Sequence, residues 1–383
     1  MKHSDAGFGL YVHWPFCAAK CPYCDFNSHV RPSVDHDRWR SALVTELRAV
    51  AALTDPRPLT SVFFGGGTPS LMEPATVEAV LAEAARLWPV GSDVEVTLEA
   101  NPTSSEAARF RDFRAAGINR LSIGLQALDD RDLRLLGRQH DAAEGLAAVA
   151  AAREVMDRVS FDVIYARQNQ TETDWREELT RILQLAPDHL SLYQLTIETE
   201  TVFGRRHAAG RLGGLPDEDR ACAMYEITRE LTDKAGLRRY ETSNHAAPGA
   251  ICRHNMVYWR GGVYAAIGPG AHGRIEAGGR RFATAALRDP GAWMRAVEAQ
   301  GVGFEESRAL SPSEVADEYL LMSLRLSEGS DPARHATMGG KPLDAATISE
   351  LVDDGLLEWR DGRIACTDRG MLLLNTLVAR LSA

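Results

Sequence analysis

Apolar residues in the first 235 positions follow two alternating spacings. Short runs rich in β-branched and aromatic residues end at glycine, proline or asparagine, which predicts strands. Between these runs, apolar residues recur every three or four positions, which predicts amphipathic helices. The predicted strands cover residues 9–14, 61–65, 94–100, 120–125, 159–165 and 190–195. The predicted helices cover residues 37–53, 76–88, 105–116, 142–153, 174–185 and 217–234.

Six strands alternating with helices predict an α/β fold in which crossover helices connect parallel strands. The pattern fits either an open doubly wound sheet or a partial barrel. In both architectures the loops at the carboxyl ends of the strands form the active site. Reactive side chains are therefore expected in those loops.

The rest of the chain has a different pattern. Residues 261–273 are rich in glycine, and the segment from about residue 311 predicts a small helical module. A helix is predicted at residues 314–326 and an apolar helix at the C-terminal end, while WRDGRIACT at residues 359–367 predicts a hairpin. Helices combined with a hairpin indicate a winged-helix-like module.

Composition narrows the class of protein. The 383 residues are 45% apolar and 25% charged, and the net charge is −10. Such a chain lacks the positive field that nucleic acids and anionic membranes require. No run approaches the ~18 apolar residues of a membrane-spanning helix, and the first residues lack the apolar core of a signal peptide. We expect a cytoplasmic protein that binds no nucleic acid and is not an integral membrane protein.

Three of the six cysteines lie close together. Cys17, Cys21 and Cys24 form a CxxxCxxC motif directly after the first predicted strand. In a long, cysteine-poor chain this clustering indicates metal or redox chemistry rather than a disulfide scaffold. Three thiolates in one loop can hold three irons of a [4Fe–4S] cluster and leave the fourth iron open to a small ligand. A zinc site is the alternative, although zinc usually takes a fourth protein ligand and no second CxxC is present.

Other candidate residues also follow or precede predicted strands. GGGTP at residues 65–69 follows the second strand, where its glycines let the backbone approach a ligand, although a plain turn explains the segment as well. Glu99 closes the third strand, where its carboxylate can accept hydrogen bonds from ribose hydroxyls; a helix N-cap or a surface ion pair is the alternative. His13 is either a donor to the cysteine motif or a packed core histidine.

The cysteine motif resembles that of the radical S-adenosylmethionine (SAM) proteins, in which CxxxCxxC follows the first strand of a partial α/β barrel. The string YVHWPFCAAKCPYCDFNS is similar to the group that contains oxygen-independent coproporphyrinogen III oxidase and the HemW-type heme chaperones. The similarity extends over nearly the whole chain. It implies a partial (β/α)6 barrel that binds a [4Fe–4S] cluster and SAM. In that family the amino and carboxylate groups of SAM chelate the unique iron, and one electron cleaves SAM to a 5′-deoxyadenosyl radical.

The resemblance also implies roles for individual residues. Cys17, Cys21 and Cys24 hold the cluster in this pattern. Tyr11, Gly66 and Glu99 match positions that contact the cluster-bound SAM. Six residues match positions that line a second SAM in the oxidase: Tyr23, Gly67, Thr68, Gln126, Arg138 and Asp162.

Two departures bear on this second SAM. Tyr23 stands where the oxidase has phenylalanine. Residues 162–170 read DVIYARQNQ, where relatives often have DLIYGLPGQ. The missing glycine and proline change the loop after the fifth strand and weaken the expectation of a second SAM.

Three features favour the chaperone branch of the group. The oxidase motif continues as CxxxCxxCxC, whereas Asp25 and Phe26 follow Cys24 here. The oxidase also carries a long extension ahead of its first strand, which here begins near residue 9. Residues 254–259 form HNxxYW, which resembles the signature of the heme-binding relatives.

His254 is the heme ligand in this interpretation, because a neutral imidazole is a good axial ligand for heme iron. The structural alternative is a turn closed by His254. Cys252 is either an alternative thiolate ligand or an inert packed thiol. We expect a barrel with its cluster at residues 1–240, a linking region with the heme motif at 241–310, and the C-terminal module at 311–383.

The leading functional hypothesis is a heme chaperone that delivers heme to an acceptor protein, with an electron donor that the sequence does not identify. The alternative is an oxygen-independent coproporphyrinogen III oxidase, an enzyme that oxidatively decarboxylates the substrate's propionates. A zinc-stabilised interaction protein is the third class. The sequence leaves open whether the radical SAM scaffold catalyses a reaction.

Overall fold

A twelve-stranded mixed sheet organises the computed structural model of the chain, which describes residues 6–382. The six central strands are parallel and lie side by side in chain order. They are β1 (Phe8–Trp14), β2 (Leu59–Gly66), β3 (Val90–Ala100), β4 (Arg120–Gln126), β5 (Arg158–Tyr165) and β6 (His189–Gln194). Each overlaps a predicted strand, and the prediction of an α/β partial barrel is confirmed.

Helices connect these strands, and most begin at a side chain that caps the first backbone N–H groups. Asp141 and Thr171, for example, both form capping boxes. The connecting helices are His36–Ala52, the 3-10 turn Pro69–Leu71, Pro74–Leu87, Ser104–Ala107, Phe110–Ala115, Asp130–Leu135, Ala142–Val155, Glu172–Gln184, Val202–Ala208 and Glu218–Lys234.

The single helix predicted at residues 105–116 is wrong, because the structure divides it in two. Arg109 separates the two parts with φ −97° and ψ −2°. Its guanidinium donates to the carbonyl oxygens of Ser70 and Met72, at 3.0 and 2.6 Å. These tertiary hydrogen bonds, which no local sequence pattern encodes, accompany the break.

β1 shows how the sheet separates two layers, since successive side chains of a strand point to opposite faces. Trp14 packs edge-on against Trp39 of the helix layer, with ring centroids 5.7 Å apart. Tyr11, on the other face, stacks on Phe63 of β2 inside the barrel. The core therefore lies between sheet and helices, and the barrel interior is left for polar and aromatic side chains.

The sheet extends past the six predicted strands at both ends. Beyond β6 lie β7 (Arg238–Arg239) and β8 (Asn244–Ala246), both antiparallel to their neighbours. On the other side, β9 (Val263–Ile267) pairs in parallel with β1, and three antiparallel strands follow. These are β10 (His272–Ala277), β11 (Arg280–Ala286) and β12 (Phe304–Ala309).

The glycine-rich segment at residues 261–273 thus contains a strand of the central sheet. Helices Arg253–Trp259 and Pro290–Gln300 accompany these outer strands. Strands on both sides of residue 240 share one sheet up to residue 309. A division of the chain at residues 240 and 310 stays a proposal.

The C-terminal module has its own buried cluster, which includes Leu351, Ile364 and Leu377. Its predicted hairpin consists of β13 (Leu357–Arg360) and β14 (Arg363–Cys366), and Asp361 and Gly362 make the turn with positive φ angles. Its helices are Pro312–Ser323, Pro332–Thr337, Ala345–Asp353, Asp368–Met371 and Leu374–Leu381. Across residues 6–382, no helix is both long and apolar enough to span a bilayer.

Candidate functional site

The carboxyl ends of the parallel strands surround a cavity of about 320 Å³, a volume typical of small-molecule sites. Eleven of the thirteen predicted site residues line it: Cys17, Cys21, Cys24, Tyr23, Gly66, Gly67, Thr68, Glu99, Gln126, Arg138 and Asp162. Tyr11 and His254 lie elsewhere. The cavity lies where ligands bind in folds with a parallel α/β sheet, at the carboxyl ends of the strands.

The cysteine loop, residues 17–28, is fixed at both ends. At its start, Phe16–Cys17 forms a short parallel pair with His29–Val30. At its end, the side-chain amide of Asn27 donates to the carbonyl oxygens of Pro269 and Arg288, both at 2.9 Å. The loop is therefore held partly by residues more than 240 positions away.

His13 supports the loop from inside the barrel. Its Nε2 lies 2.9 Å from the carbonyl oxygen of Asn27, and its Nδ1 lies 3.0 Å from the hydroxyl of Tyr11. Burial lowers the pKa of His13 to about 4, so the ring is neutral. Because a carbonyl only accepts, Nε2 carries the proton and Nδ1 accepts from Tyr11. His13 is thus a buried residue that also positions the loop, and Tyr11 lies beneath it, outside the cavity wall.

The three thiols form a donor set that suits an iron–sulfur cluster. Burial raises the pKa of the Cys17 and Cys24 thiols, and charge repulsion within the triad adds to the effect. Ligation therefore has to compensate for bringing thiolates together in a partly dry cavity. Within residues 6–382, no three histidine, cysteine or acidic side chains are arranged to hold one metal ion. A cluster does not require that arrangement, because each thiolate binds its own iron.

Gly66 and Gly67 bring the end of β2 against the start of the cysteine loop. Gly66 has φ 110°, and a Cβ atom there would lie 2.5 Å from the ring of His13. A Cβ on Gly67 would lie 2.7 Å from the carbonyl oxygen of Phe16. The Gly67 N–H instead donates to the carbonyl of Trp14 at 2.7 Å. Only glycine fits at either position.

Two carboxyl groups, those of Glu99 and Asp162, lie in the cavity wall. Burial and repulsion from Asp162 raise the pKa of Glu99 to about 8. Burial also raises the pKa of Asp162, which accepts a hydrogen bond from Ser122 at 3.3 Å. One oxygen of Glu99 accepts the Gly66 N–H at 3.2 Å. Glu99 is neither a surface ion pair nor an N-cap, since Thr103 caps the next helix.

Gln126 ends β4 with a left-handed backbone, φ 65°. Such strain in a residue other than glycine is typical of functional sites. Its buried Oε1 has no hydrogen-bond partner in the part of the chain that the structure describes. An unpaired acceptor in a cavity wall suits a ligand with hydroxyl or ammonium donors, and SAM has both.

Arg138 and Tyr23 hold the middle of the cysteine loop. The Arg138 guanidinium lies 3.5 Å from Cys21 Sγ and donates to the carbonyl of Gly124 at 3.0 Å. The Tyr23 ring lies against that of Phe203, with centroids 6.4 Å apart. Arg138 and Tyr23, two of the six residues that match the oxidase's second-SAM positions, thus contact other parts of the protein itself.

The loop after β5 keeps its turn without the expected glycine and proline. Ala166 and Asn169 adopt φ angles of 59° and 61°. Below them, Arg167 forms ion pairs with Asp132 and Glu178, at 2.7 and 2.6 Å. Residues 166–170 are not part of the cavity wall. The departure from DLIYGLPGQ therefore changes the support of the loop rather than the lining of the cavity.

Several cavity residues were missed by the sequence interpretation, and four polar ones that end or follow strands or lie within them are Asn101, Ser122, Tyr193 and Gln194. Tyr193 and Gln194 end β6, so the strand-end rule would have found them. Ser122 precedes Gly124 by two residues in β4 and faces the same side of the strand. Asn101 directly follows β3, but the local sequence does not show that its side chain contacts residues of two other loops.

His254 lies inside the barrel, below the cavity, on helix Arg253–Trp259, which we call the plug helix. Its side chain is buried and stacks on Phe63 with ring centroids 5.1 Å apart. Nδ1 lies 2.9 Å from the Ser61 hydroxyl, and Nε2 lies 2.7 Å from the Tyr258 hydroxyl. Burial lowers the pKa of His254 to about 3. The imidazole is neutral, and both of its nitrogens are engaged.

Cys252, just before the plug helix, is also buried. Its sulfur lies 3.5 Å from Oε1 of Glu95, which forms an ion pair with Arg158. Burial raises the pKa of Cys252 to about 12. Cys252 is therefore a packed thiol that stays protonated, which is the second of the two alternatives, and not an accessible thiolate.

Comparison with known proteins places this architecture in a family. The Radical SAM superfamily matches residues 11–182, and the HemN C-terminal domain matches residues 310–373. The Heme chaperone HemW of Escherichia coli is 35% identical, over 96% of this chain and 96% of its own length. The chain belongs to the HemW family of radical SAM proteins.

Other relatives match over most of their length. A mouse protein, Radical S-adenosyl methionine domain-containing protein 1, mitochondrial, is 41% identical over 97% of this chain and 86% of its own. The Heme chaperone HemW of Mycobacterium tuberculosis H37Rv is 35% identical over 98% of this chain and 94% of its own.

Coproporphyrinogen III oxidase (HemN) of Escherichia coli has the same fold as this HemW-family chain. Its structure superimposes with a TM-score of 0.82 at 23% identity, covering 98% of this chain and 90% of that one. This similarity concerns the fold alone.

Proposed function

We propose that the chain is a heme chaperone that binds a [4Fe–4S] cluster, SAM and heme and delivers heme to an acceptor protein. The main support is identity of 35% over 96% and 94% of the lengths of two proteins named as HemW heme chaperones. The cysteine loop agrees with this branch, since Asp25 and Phe26 follow Cys24 and no fourth loop cysteine exists.

Different residues of the cavity wall would hold the cluster and SAM. Cys17, Cys21 and Cys24 would hold the cluster, and Gly66 and Glu99 would meet the bound SAM. Tyr11 acts on that site through His13, which it orients from below. When bound, the cluster and SAM supply one-electron chemistry.

Binding of a second SAM remains a proposal for Tyr23, Gly67, Thr68, Gln126, Arg138 and Asp162. Of these, Gln126 has a buried acceptor, Oε1, that no group within residues 6–382 engages. Arg138, by contrast, already donates to protein atoms.

Heme ligation by His254 requires the plug helix to move. One imidazole lone pair must point at the iron, yet both ring nitrogens contact hydroxyl groups inside the barrel. Displacement of the helix would uncover His254 together with the rings of Tyr258 and Trp259. Flat amphipathic rings of this kind suit a porphyrin face.

The partners in this proposal are heme, a heme acceptor and an electron donor, with no nucleic acid involved. We predict from the sequence that the chain functions in the cytoplasm, although the mouse relative is named as mitochondrial. Whether the chain also acts as an enzyme is decided by the experiment below.

The test is anaerobic reconstitution followed by heme titration of the wild type, His254→Ala and Tyr258→Phe. The alanine variant is expected to shift or lose the heme absorption band, because it lacks the ligand. The phenylalanine variant keeps the imidazole and removes one hydroxyl that engages Nε2. It is therefore expected to bind heme at least as tightly as the wild type.

Unchanged heme spectra and affinity in His254→Ala would reject this ligand. The same preparation is incubated with coproporphyrinogen III, SAM and reductant, where we expect no turnover. Formation of protoporphyrinogen would favour the oxidase, and an absence of iron and acid-labile sulfide would reject the proposed binding of a [4Fe–4S] cluster.

A further inference from the structure

Two of the three cluster cysteines each have a hydrogen-bond donor from the cavity wall. The Thr68 hydroxyl lies 3.4 Å from Cys17 Sγ, and Nη1 of Arg138 lies 3.5 Å from Cys21 Sγ. These separations are within hydrogen-bond range for sulfur, which is a large and weak acceptor. Thr68 follows β2, whereas Arg138 follows helix Asp130–Leu135. The two donors therefore come from separate segments of the barrel.

Asn101 connects these two donors. Its Nδ2 donates to the Thr68 hydroxyl at 3.1 Å, and its Oδ1 accepts from Nη2 of Arg138 at 2.6 Å. The orientation of the amide follows from chemistry, because a guanidinium has no acceptor and must face the amide oxygen. A continuous arc thus runs from Cys17 through Thr68, Asn101 and Arg138 to Cys21.

The arc fixes where the protons point. Thr68 has a single hydroxyl proton, and its oxygen already accepts from Asn101, so the proton is directed at Cys17 Sγ. Nη2 of Arg138 donates to Asn101 and to the carbonyl of Gly124. This leaves Nη1 for Cys21. Asn101 therefore determines that both donors face sulfur.

Hydrogen bonds to ligand sulfurs influence an iron–sulfur cluster in a known direction. Reduction adds negative charge, which is spread over the thiolates, so donors and cations near sulfur stabilise the reduced form and raise the reduction potential. A buried guanidinium acts more strongly than an exposed one, because the surrounding medium screens its charge less. Arg138 is half-buried, and within the arc its guanidinium donates to an amide oxygen and a sulfur.

We infer that Asn101 is a positioning residue that raises the reduction potential of the cluster by holding Thr68 and Arg138 against the sulfurs of Cys17 and Cys21. The inference rests on the proposed function, which assigns the cluster to these cysteines. It adds a residue outside the predicted set and gives Thr68 and Arg138 a role toward the cluster.

The experiment measures the midpoint potential of the anaerobically reconstituted full chain by an EPR-monitored redox titration. Asn101→Leu keeps the approximate size of the side chain and removes both hydrogen bonds. Asn101→Asp keeps an acceptor for Arg138 but cannot donate to Thr68, and it offsets the guanidinium charge. We expect a lower potential in both variants, with the larger decrease in Asn101→Asp.

Thr68→Val removes only the hydroxyl that faces Cys17 and should reproduce part of the decrease. If Asn101 acts through Thr68, the double variant Asn101→Leu/Thr68→Val lowers the potential by less than the sum of the single variants. Thr196→Ala is the control, because Thr196 also lines the cavity but its hydroxyl donates to the carbonyl oxygen of Gln194, at 3.3 Å, and not to a cysteine sulfur. Its potential should match that of the wild type.

Iron and acid-labile sulfide are quantified in every sample, which separates the possible failures. Cluster-loaded Asn101 and Thr68 variants with the wild-type potential would overturn this inference and leave the proposed cluster intact. A wild type without a [4Fe–4S] cluster would overturn both. Should Asn101→Leu lose its cluster, the potentials of Asn101→Asp and Thr68→Val decide the question.

Discussion

Burial determines the charge of the individual side chains that surround the cavity. His13 and His254 are neutral because each ring is enclosed and engaged at both nitrogens. Glu99 is largely protonated at neutral pH, because its burial and the nearby Asp162 both disfavour a negative charge on its carboxyl group. A ligand that brings a positive group to this wall would favour ionisation of Glu99, which couples binding to proton release.

The raised pKa of Glu99 predicts a pH dependence of stability. The folded chain binds this proton more tightly than the unfolded chain, in which a glutamate has a pKa of about 4.3. The stabilisation is complete below that value and is lost as the pH rises through about 8. Each tenfold difference in proton affinity corresponds to about 1.4 kcal/mol.

Glu99→Gln should therefore become more stable than the wild type by a few kcal/mol as the pH is raised from about 5 to about 9. Urea unfolding at several pH values measures this difference. Glu78→Gln, on an exposed position of helix Pro74–Leu87, is the control and should show none. If the free energies of unfolding of Glu99→Gln and the wild type change in parallel with pH, Glu99 does not carry the proton that we assign to it.

Among the structural elements, those with a clear hydrophobic period could be predicted and those without one could not. β1 to β6 are short apolar runs between helices, so their existence, order and direction follow from the sequence. β9 is a five-residue strand between glycines, and its pairing with β1 depends on contacts 250 residues apart. The plug helix has no apolar stripe, because part of it faces the polar barrel interior.

The same limit applies to the candidate site. The strand-end rule and the family resemblance located the cysteine loop, Glu99 and Gln126 in one cavity. They did not reveal Asn101, whose partners come from two other loops. Nor did they reveal that His254 is enclosed, since a motif shows which residues are present but not what covers them.

The end of β2 provides a test at the scale of an element. Gly66→Ala introduces a Cβ into a left-handed position that already lies against the His13 ring. Gly249→Ala is the matched control, since Gly249 has φ 84° but nothing within 4 Å of the added Cβ. The control should cost about 1–2 kcal/mol of stability, the usual penalty for a left-handed residue with a side chain.

Gly66→Ala should cost more than this control and also weaken SAM binding, because His13 must move and the cysteine loop moves with it. Urea unfolding and equilibrium dialysis against SAM measure the two effects. Equal stability losses in the two variants would mean that the contact with His13 is not tight.

At the scale of the whole molecule, the C-terminal module covers the plug helix from outside. Helix Pro312–Ser323 contacts the plug helix. Leu326, just beyond it, is buried with Tyr240 and Met256 of the barrel side. An ion pair between Arg260 and Glu328, at 2.7 Å, adds to this contact. Access to His254 therefore depends on the module as well as on the helix.

Leu326→Ala tests this dependence. Removing a fully buried leucine should cost about 2–5 kcal/mol and speed hydrogen exchange of the plug helix, which loses its cover. Leu321→Ala removes a leucine that is 40% exposed on the neighbouring helix and should change both quantities little. Hydrogen exchange with mass spectrometry reports each segment, and equal exchange in the two variants would show that the module does not restrain the plug helix.

The position of β1 between β2 and β9 has a consequence for the order of events during synthesis. The ribosome makes β1 and the cysteine loop about 250 residues before β9 and the two carbonyl anchors of Asn27. At roughly 5–20 residues per second, this interval lasts on the order of 13–50 s. During that time the nascent cysteines lack their final enclosure. The cysteine loop therefore reaches its final, anchored structure only after residue 288 has left the exit tunnel.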